Sequence, residues 1–238
     1  MGITATSGIT FGNGISITSP APVITLSQTG SVSSFSYTTT IPSSGVIAGD
    51  VAVILAQDRI DAATADYTPV GWTKIGTALQ PSGSSLVRIN SYYKILAAGD
   101  VGASVQTSPV VSDGSLTWSG SQTWIWRPST AISTVTVNNL NGSGSQSAIS
   151  YTITTNGVSG PLIALGHASS QTGVAGQWLS WTGLSATQTF SRDAVLSDDP
   201  ARGAYTLVNG ESTAGANITA SISDLGSQEL QTFYLTFS

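Results

Sequence analysis

DVAVILAQ at residues 50–57 and SLVRINSYYKIL at residues 85–96 decide the fold class. Both are rich in β-branched and aromatic residues and are bounded by turn-forming residues, which is the pattern of short β-strands. The pattern recurs in VITLSQTG at 23–30, FSYTTTI at 35–41, WTKIGTAL at 72–79, TWIW at 123–126, STVTV at 133–137 and YTITT at 151–155. The best helix candidate, LSDDPARGA at 196–204, contains Pro and Gly where a helix needs continuity. The sequence therefore predicts an all-β protein.

The composition excludes several classes of protein. Only 8% of the 238 residues are charged, against roughly 25% in an average soluble domain. Because 40% of the residues are hydrophobic and the net charge is only −5, the chain is predicted to fold rather than to be disordered. Seven Lys and Arg residues are too few for a phosphate-binding patch, so no nucleic-acid partner is expected. The absence of cysteine excludes disulfides and Cys-ligated metals.

Neither a secretion signal nor a membrane anchor is expected. MGITATSGITFGNG at residues 1–14 lacks the cationic region and the apolar run of a signal peptide. No uncharged apolar stretch approaches the roughly 20 residues that a membrane helix needs.

The chain resembles itself over five segments in the same order, at offsets of 109 to 114 residues. The aligned anchors are Tyr37 with Tyr151, Gly49 with Gly160, Trp72 with Trp181, Tyr93 with Tyr205, and Gly102 with Gly215, and SQTWIWRPST at 121–130 aligns with ELQTFYLTFS at 229–238. This order predicts an internal duplication into two tandem jelly-roll or immunoglobulin-like β-sandwich units, 21–140 and 141–238. The alternative is that both copies fuse into one larger sandwich or barrel.

Residues 1–20 form a third region, an extended N-terminal arm. Gly-Ile-Thr or Gly-Ile-Ser recurs every six residues from Gly2, and side chains six apart share one face of a strand. Such a stripe needs an apolar partner, so the arm is predicted to drive assembly through four residues: Ile3, Ile9, Phe11 and Ile15. The alternative is an ordinary, Gly-rich first strand.

Few residues offer catalytic chemistry. His167 is the only histidine, and no G-x-S-x-G elbow accompanies it, so a structural imidazole is favoured over a catalytic base. Two aspartate clusters occur: Asp58, Asp61 and Asp66, and Asp193, Asp198 and Asp199. They are interpreted as turn residues that nearby arginines neutralise, with calcium binding and sugar cleavage as alternatives. No catalytic residue, metal ligand or cofactor is predicted.

The tryptophans are the remaining candidates for binding. Trp124 and Trp126 share one strand face and either stack on a glycan or fill the core; apolar counterparts in the repeat favour the core. Trp178 has no counterpart in the repeat and is the better candidate for an exposed, glycan-stacking ring. Trp72 and Trp181 recur at matching positions, which indicates fold anchors.

Residues 1–140 resemble a β-sandwich module of tailed-phage structural proteins and some bacterial surface proteins. The motifs are Gly49-Asp50, Gly71-Trp72-Thr73, Tyr92-Tyr93-Lys94, Gly99-Asp100 and Trp124-Ile125-Trp126, and the Gly-Ile repeat resembles the opening of cyanophage-type virion proteins. The second copy lacks both Gly-Asp pairs. The resemblance implies a sandwich and a virion setting, and it transfers no functional residue.

The predicted function is therefore a non-enzymatic structural component of a bacteriophage virion, most simply a tail-fibre or baseplate appendage. Its expected partners are further copies of itself, with a trimer favoured, and other virion proteins, and a host surface glycan is a further candidate. A capsid decoration (cement) protein is the alternative location. A tandem carbohydrate-binding module is the alternative from another functional class.

Overall fold

The computed structural model describes residues 9–10, 16–17, 24–29, 33–34, 37–61, 66–82, 85–109, 116–139, 145–146, 149–154, 160–170, 179–182, 185–194, 202–212, 217–222 and 228–238. Within these ranges nearly all regular structure is β-strand, and a single 3₁₀ turn, Ala98–Asp100, is the helical element. The all-β prediction is therefore confirmed for the described part of the chain. No helix in that part is long and apolar enough to span a membrane.

Nineteen strands follow one another along the described residues. They are β1 Ile9–Thr10, β2 Ser16–Ile17, β3 Ile24–Thr29, β4 Ser33–Ser34, β5 Thr38–Thr40, β6 Val51–Asp61, β7 Thr73–Ser82, β8 Ser85–Ile95, β9 Ser104–Gln106, β10 Leu116–Pro128, β11 Val135–Asn139, β12 Ser145–Gln146, β13 Ile149–Thr154, β14 Gly160–Ser170, β15 Leu179–Thr182, β16 Ser185–Ala194, β17 Arg202–Ser212, β18 Asn217–Ile222 and β19 Gln228–Phe237.

Two large antiparallel sheets share one topology. The first runs β3-β10-β6-β8-β7 and the second β11-β19-β14-β17-β16. In the first sheet, β3 and β10 are the first and last of the five strands along the chain, and they lie side by side at one edge, while β8 and β7 form the other edge. The second sheet has the same arrangement, with β11 and β19 at one edge and β17 and β16 at the other. Each sheet also has one short extra strand that pairs with the last of its five strands along the chain: β4 pairs with β10, and β12 pairs with β19.

The first large sheet is apolar on both faces at its centre, as the near-continuous apolar run of β6 requires. One face carries Val51, Val53 and Leu55 of β6, which pack with tryptophans of β10 and with Ile163, Leu235 and Phe237 of the second sheet. The two large sheets therefore share one core.

The opposite face of the first large sheet carries the alternate residues Ala52, Ile54 and Ala56. They pack against Ile41, Val46 and Val105 from β9 and the loops around β5, and against Trp72 and Leu96. The small sheet β5-β9 lies over this face, where Thr39 Oγ1 is 3.3 Å from Thr123 Oγ1 of β10. The second half contains a three-stranded small sheet, β13-β18-β15.

The boundary between the two predicted units can be compared with the strand order. The chain passes from the first large sheet to the second between Pro128 and Val135, because β11 pairs with β19, whereas the predicted units meet at residues 140 and 141. The division into units remains a prediction.

The structure describes two short strands in the predicted N-terminal arm. β1 and β2 pair antiparallel, with Ile9 opposite Ile17, so the chain reverses between Thr10 and Ser16. The alternative of one ordinary first strand does not fit this pairing, and assembly through the arm remains a prediction.

Candidate functional site

Every charged side chain that the structure describes is in an ion pair with another charged side chain. The pairs are Asp50 with Arg127, Asp58 with Arg88, Asp66 with Lys74, and Asp100 with Lys94. Each pair joins residues that are distant in sequence or that flank a turn. The described charges thus connect one element to another.

Asp50 and Arg127 hold the start of β6 to the end of β10. Arg127 Nε and Nη2 each donate at 2.9 Å to a different oxygen of Asp50, and Nη2 also donates to the Gly45 carbonyl at 2.9 Å. The hydrogen bond to Asp50 raises the pKa of Arg127. The buried Asp50 also accepts from the backbone N–H of Ile47 at 2.9 Å. This bidentate guanidinium–carboxylate contact fixes the orientation of both side chains as well as the distance between them.

Asp58 and Arg88 form a buried ion pair on adjacent strands, β6 and β8, at 3.3 Å. Ser108 donates from Oγ to Asp58 Oδ1, and Arg88 Nη1 lies 4.0 Å from Asp66 Oδ1. Arg88 neutralises Asp58, and Lys74 pairs with Asp66, so each of these two carboxylates has a basic side chain as its partner. No metal-binding group of three or more His, Cys, Asp or Glu residues occurs among the described residues. Asp61 lies at the end of β6, and its side chain is outside the described residues.

Tyr92 is buried in the apolar core and lies near this ion pair. Its hydroxyl donates to the Tyr67 carbonyl at 2.7 Å. Burial, followed by the nearby Asp58 and Asp66, raises the pKa of Tyr92 far above its ordinary value. The phenol therefore stays neutral and acts as a fixed donor that holds the segment leading to the 69–72 turn.

An open groove of about 250 Å³ lies beside this turn and is the candidate binding site. We call it the β9 groove; its lining includes Tyr67, Val70 and Trp72 around the turn and residues 103–106, which contain β9. Val70 is 94% exposed, the most exposed large apolar side chain among the described residues. The groove thus combines apolar surface with the backbone of a strand.

Gly71 and the Lys94–Asp100 pair shape the β9 groove. Gly71 has φ +76°, a conformation that costs other residues roughly 1–2 kcal/mol, so the turn needs glycine here. Lys94 Nζ lies 2.6 Å from Asp100 Oδ1. Burial raises the pKa of Asp100, but hydrogen bonds from Lys94 and from the Ala97 N–H outweigh it and lower that pKa. The groove therefore presents a neutralised pair rather than a net charge.

Trp124 and Trp126 lie in the core between the two large sheets, as the repeat favours, and both rings are 1% exposed. Their alternative role as a glycan-stacking platform is contradicted by this burial. Their face of β10 is covered by the second sheet, so no sugar can stack there. Trp72, interpreted as a fold anchor, is buried in the opposite core.

The side chains of several predicted site residues lie outside the described part of the structure. Ile3, Phe11, Ile15 and Trp178 lie outside the described residues. Ile9 lies in β1, and His167 lies in β14 opposite Tyr205 and Gln231, with only their backbones described. Of the second aspartate cluster, Asp193 lies in β16, and Asp198 and Asp199 lie outside the described residues.

Sequence reasoning missed the β9 groove. Gly71-Trp72-Thr73 is one of the motifs of the phage resemblance, but nothing in the sequence shows that a groove separates this stretch from β9. The exposed Val70 between Pro69 and Gly71 was the available signal, since an apolar residue at a turn tip has no core to fill.

Comparison with known proteins finds no matching family model, no matching curated protein and no matching solved structure.

Proposed function

We propose that this chain is a non-enzymatic structural component of a bacteriophage virion that assembles through its N-terminal arm. An appendage of the tail fibre or baseplate is the favoured location, and the favoured assembly is a homotrimer. The two halves are tandem copies of one β-sandwich unit in this proposal.

The observation that carries the proposal is the use of charge. All described charged side chains are bound to a charged partner within the chain. General acid–base catalysis needs a titratable group that faces a substrate, and these groups face one another. Three of the motif residues on which the phage resemblance rests, Asp50, Lys94 and Asp100, are ion-pair partners. A fourth, Tyr92, donates from its hydroxyl to the Tyr67 carbonyl.

The shared topology of the two large sheets supports the duplication. Corresponding strands take the same places in both sheets, including the short fourth and twelfth strands. Stacked sheets with a common apolar core form a rigid block with few charges, which suits a repeated building unit. The burial of Trp124 and Trp126 removes two of the three rings that favoured a carbohydrate-binding module.

The proposal is tested on the full chain by native mass, measured by light scattering after gel filtration. We expect an oligomer for the wild-type chain and a monomer with unchanged melting for the triple variant Ile3→Ser, Ile9→Ser and Ile15→Ser. The matched control replaces the neighbouring hydroxyl residues, Thr4→Ser and Thr10→Ser, and should remain oligomeric. A monomeric wild-type chain, or an oligomer that survives loss of the isoleucines, would contradict assembly through the arm.

A further inference from the structure

The two small sheets differ by one strand. In the second half, β15 pairs with β18, with Trp181 opposite Ala220. β15 lies between β14 and β16 along the chain, the place that residues 66–72 occupy between β6 and β7 in the first half. Residues 66–72 contain Trp72 as β15 contains Trp181, but among the described strands of the first half β9 pairs with β5 alone. The β9 groove lies where the third strand would be.

The unpaired edge of β9 faces this groove. Ile41 N–H donates to the Ala103 carbonyl at 2.9 Å and Thr107 N–H donates to the Tyr37 carbonyl at 2.7 Å. Backbone groups alternate in direction along an antiparallel strand, so residues 103, 105 and 107 point toward β5. Ser104 and Gln106 therefore point their N–H and C=O groups away from β5, and the groove runs along this strand, with all of residues 103–106 in its lining.

We propose that the β9 edge binds an extended peptide strand, and that this strand is the N-terminal segment, residues 1–8, of a second copy of the chain. This inference rests on the proposed assembly through the arm and assigns the arm its receptor. An added strand would pair with the outward groups of Ser104 and Gln106 and place alternate side chains over Trp72 and Val70. Strand addition of this kind takes its affinity from the backbone and its specificity from alternate side chains.

The chain itself indicates which peptide suits such an edge. In the second half the corresponding position holds Leu-Ser-Trp-Thr at residues 179–182, in which apolar and hydroxyl side chains alternate. Residues 3–6, Ile-Thr-Ala-Thr, alternate in the same way and carry no charge. Because Lys94 and Asp100 neutralise each other, a neutral segment meets no unpaired charge in the groove.

Amide hydrogen exchange in the full chain tests this pairing. The Ser104 and Gln106 amides should exchange at least about tenfold more slowly in the oligomer than in the Ile3→Ser, Ile9→Ser, Ile15→Ser variant. The Val105 amide, which faces β5, is the internal control and should exchange equally in both. Ser104→Pro removes the outward donor and should weaken assembly by about tenfold, whereas Ser104→Ala keeps the donor and should not. If Ser104→Pro loses its far-UV circular dichroism, the exchange comparison decides alone.

Each outcome has a distinct meaning. An oligomer that depends on the isoleucines but leaves the Ser104 and Gln106 amides unprotected overturns the edge pairing and leaves the proposed function standing. Protection that persists in dilute monomer shows that the chain's own arm fills the groove, which overturns the second-copy assignment. A monomeric wild-type chain with exposed amides overturns both proposals.

Discussion

The two faces of the first large sheet are held by different chemistry. The face toward the second large sheet is apolar along Val51, Val53 and Leu55. The opposite face is apolar at Ala52, Ile54 and Ala56, but two residues further along β6 it reaches the buried Asp58–Arg88 pair. A uniform apolar face stabilises the fold through the apolar area that it buries. A face that ends in the Asp58–Arg88 pair also specifies that β6 and β8 are neighbours there.

The largest effect is expected at the apolar face. Trp124→Ala should lower the free energy of unfolding by about 4 kcal/mol, because it deletes the largest kind of side chain from a closed core. Ile95→Ala, on the same sheet but 36% exposed, is the control and should cost much less. Chemical denaturation measures both. Wild-type stability of the Trp124→Ala protein would contradict the burial of this ring in the core.

The charged end of the other face should respond next. Arg88→Met leaves the buried Asp58 without its cation and should cost about 3 kcal/mol. The double variant Asp58→Leu and Arg88→Met should recover much of that loss, because a buried pair replaced by apolar residues is often close to neutral. Asp66→Asn, whose carboxylate is half exposed, should cost under about 1 kcal/mol. Additive losses in the double variant would contradict a coupled pair.

Tyr92→Phe tests the donor between the ion pair and the apolar core. Loss of the bond to the Tyr67 carbonyl should cost about 1 kcal/mol at pH 7. The raised pKa adds a pH signature: above about pH 10 the unfolded chain ionises at this position and the folded chain does not, so stability falls as pH rises. The variant should show a smaller fall between pH 9 and pH 11 than the wild type. Equal slopes would mean that Tyr92 is not shielded.

The smallest effect is expected at the edge of the β9 groove. The lowered pKa of Asp100 means that its charged form is favoured in the folded state, so its contribution is present above the ordinary Asp pKa of about 3.9 and lost as pH falls below it. Asp100→Asn should therefore lower the melting temperature at pH 7 and leave it nearly unchanged at pH 2. An equal loss at both values would assign the effect to packing.

Strand content could be predicted from the sequence because β-branched runs and turn residues are local signals. The burial of Trp124 and Trp126 was an open choice, since alternation gives the face of a strand but not what covers that face. What covers it comes from residues of the second large sheet, which follow much later in the chain: Ile163, Leu235 and Phe237. The reversal within the arm was missed because period-six spacing fits both a single strand and a hairpin. The β9 groove was missed because it results from a strand that is present in one half and lacking in the other.

Native-state hydrogen exchange on Leu235→Ala tests whether the two large sheets share one core. Leu235 is fully buried on β19, yet it packs with Val51, Val53 and Leu55 of β6. If the two large sheets share one core, the substitution should lower the opening free energy of amides in β6 and in β14 together, by about 2–5 kcal/mol. If amides in β14 become labile while those in β6 keep their wild-type protection, the two halves are separate cores and the account is wrong.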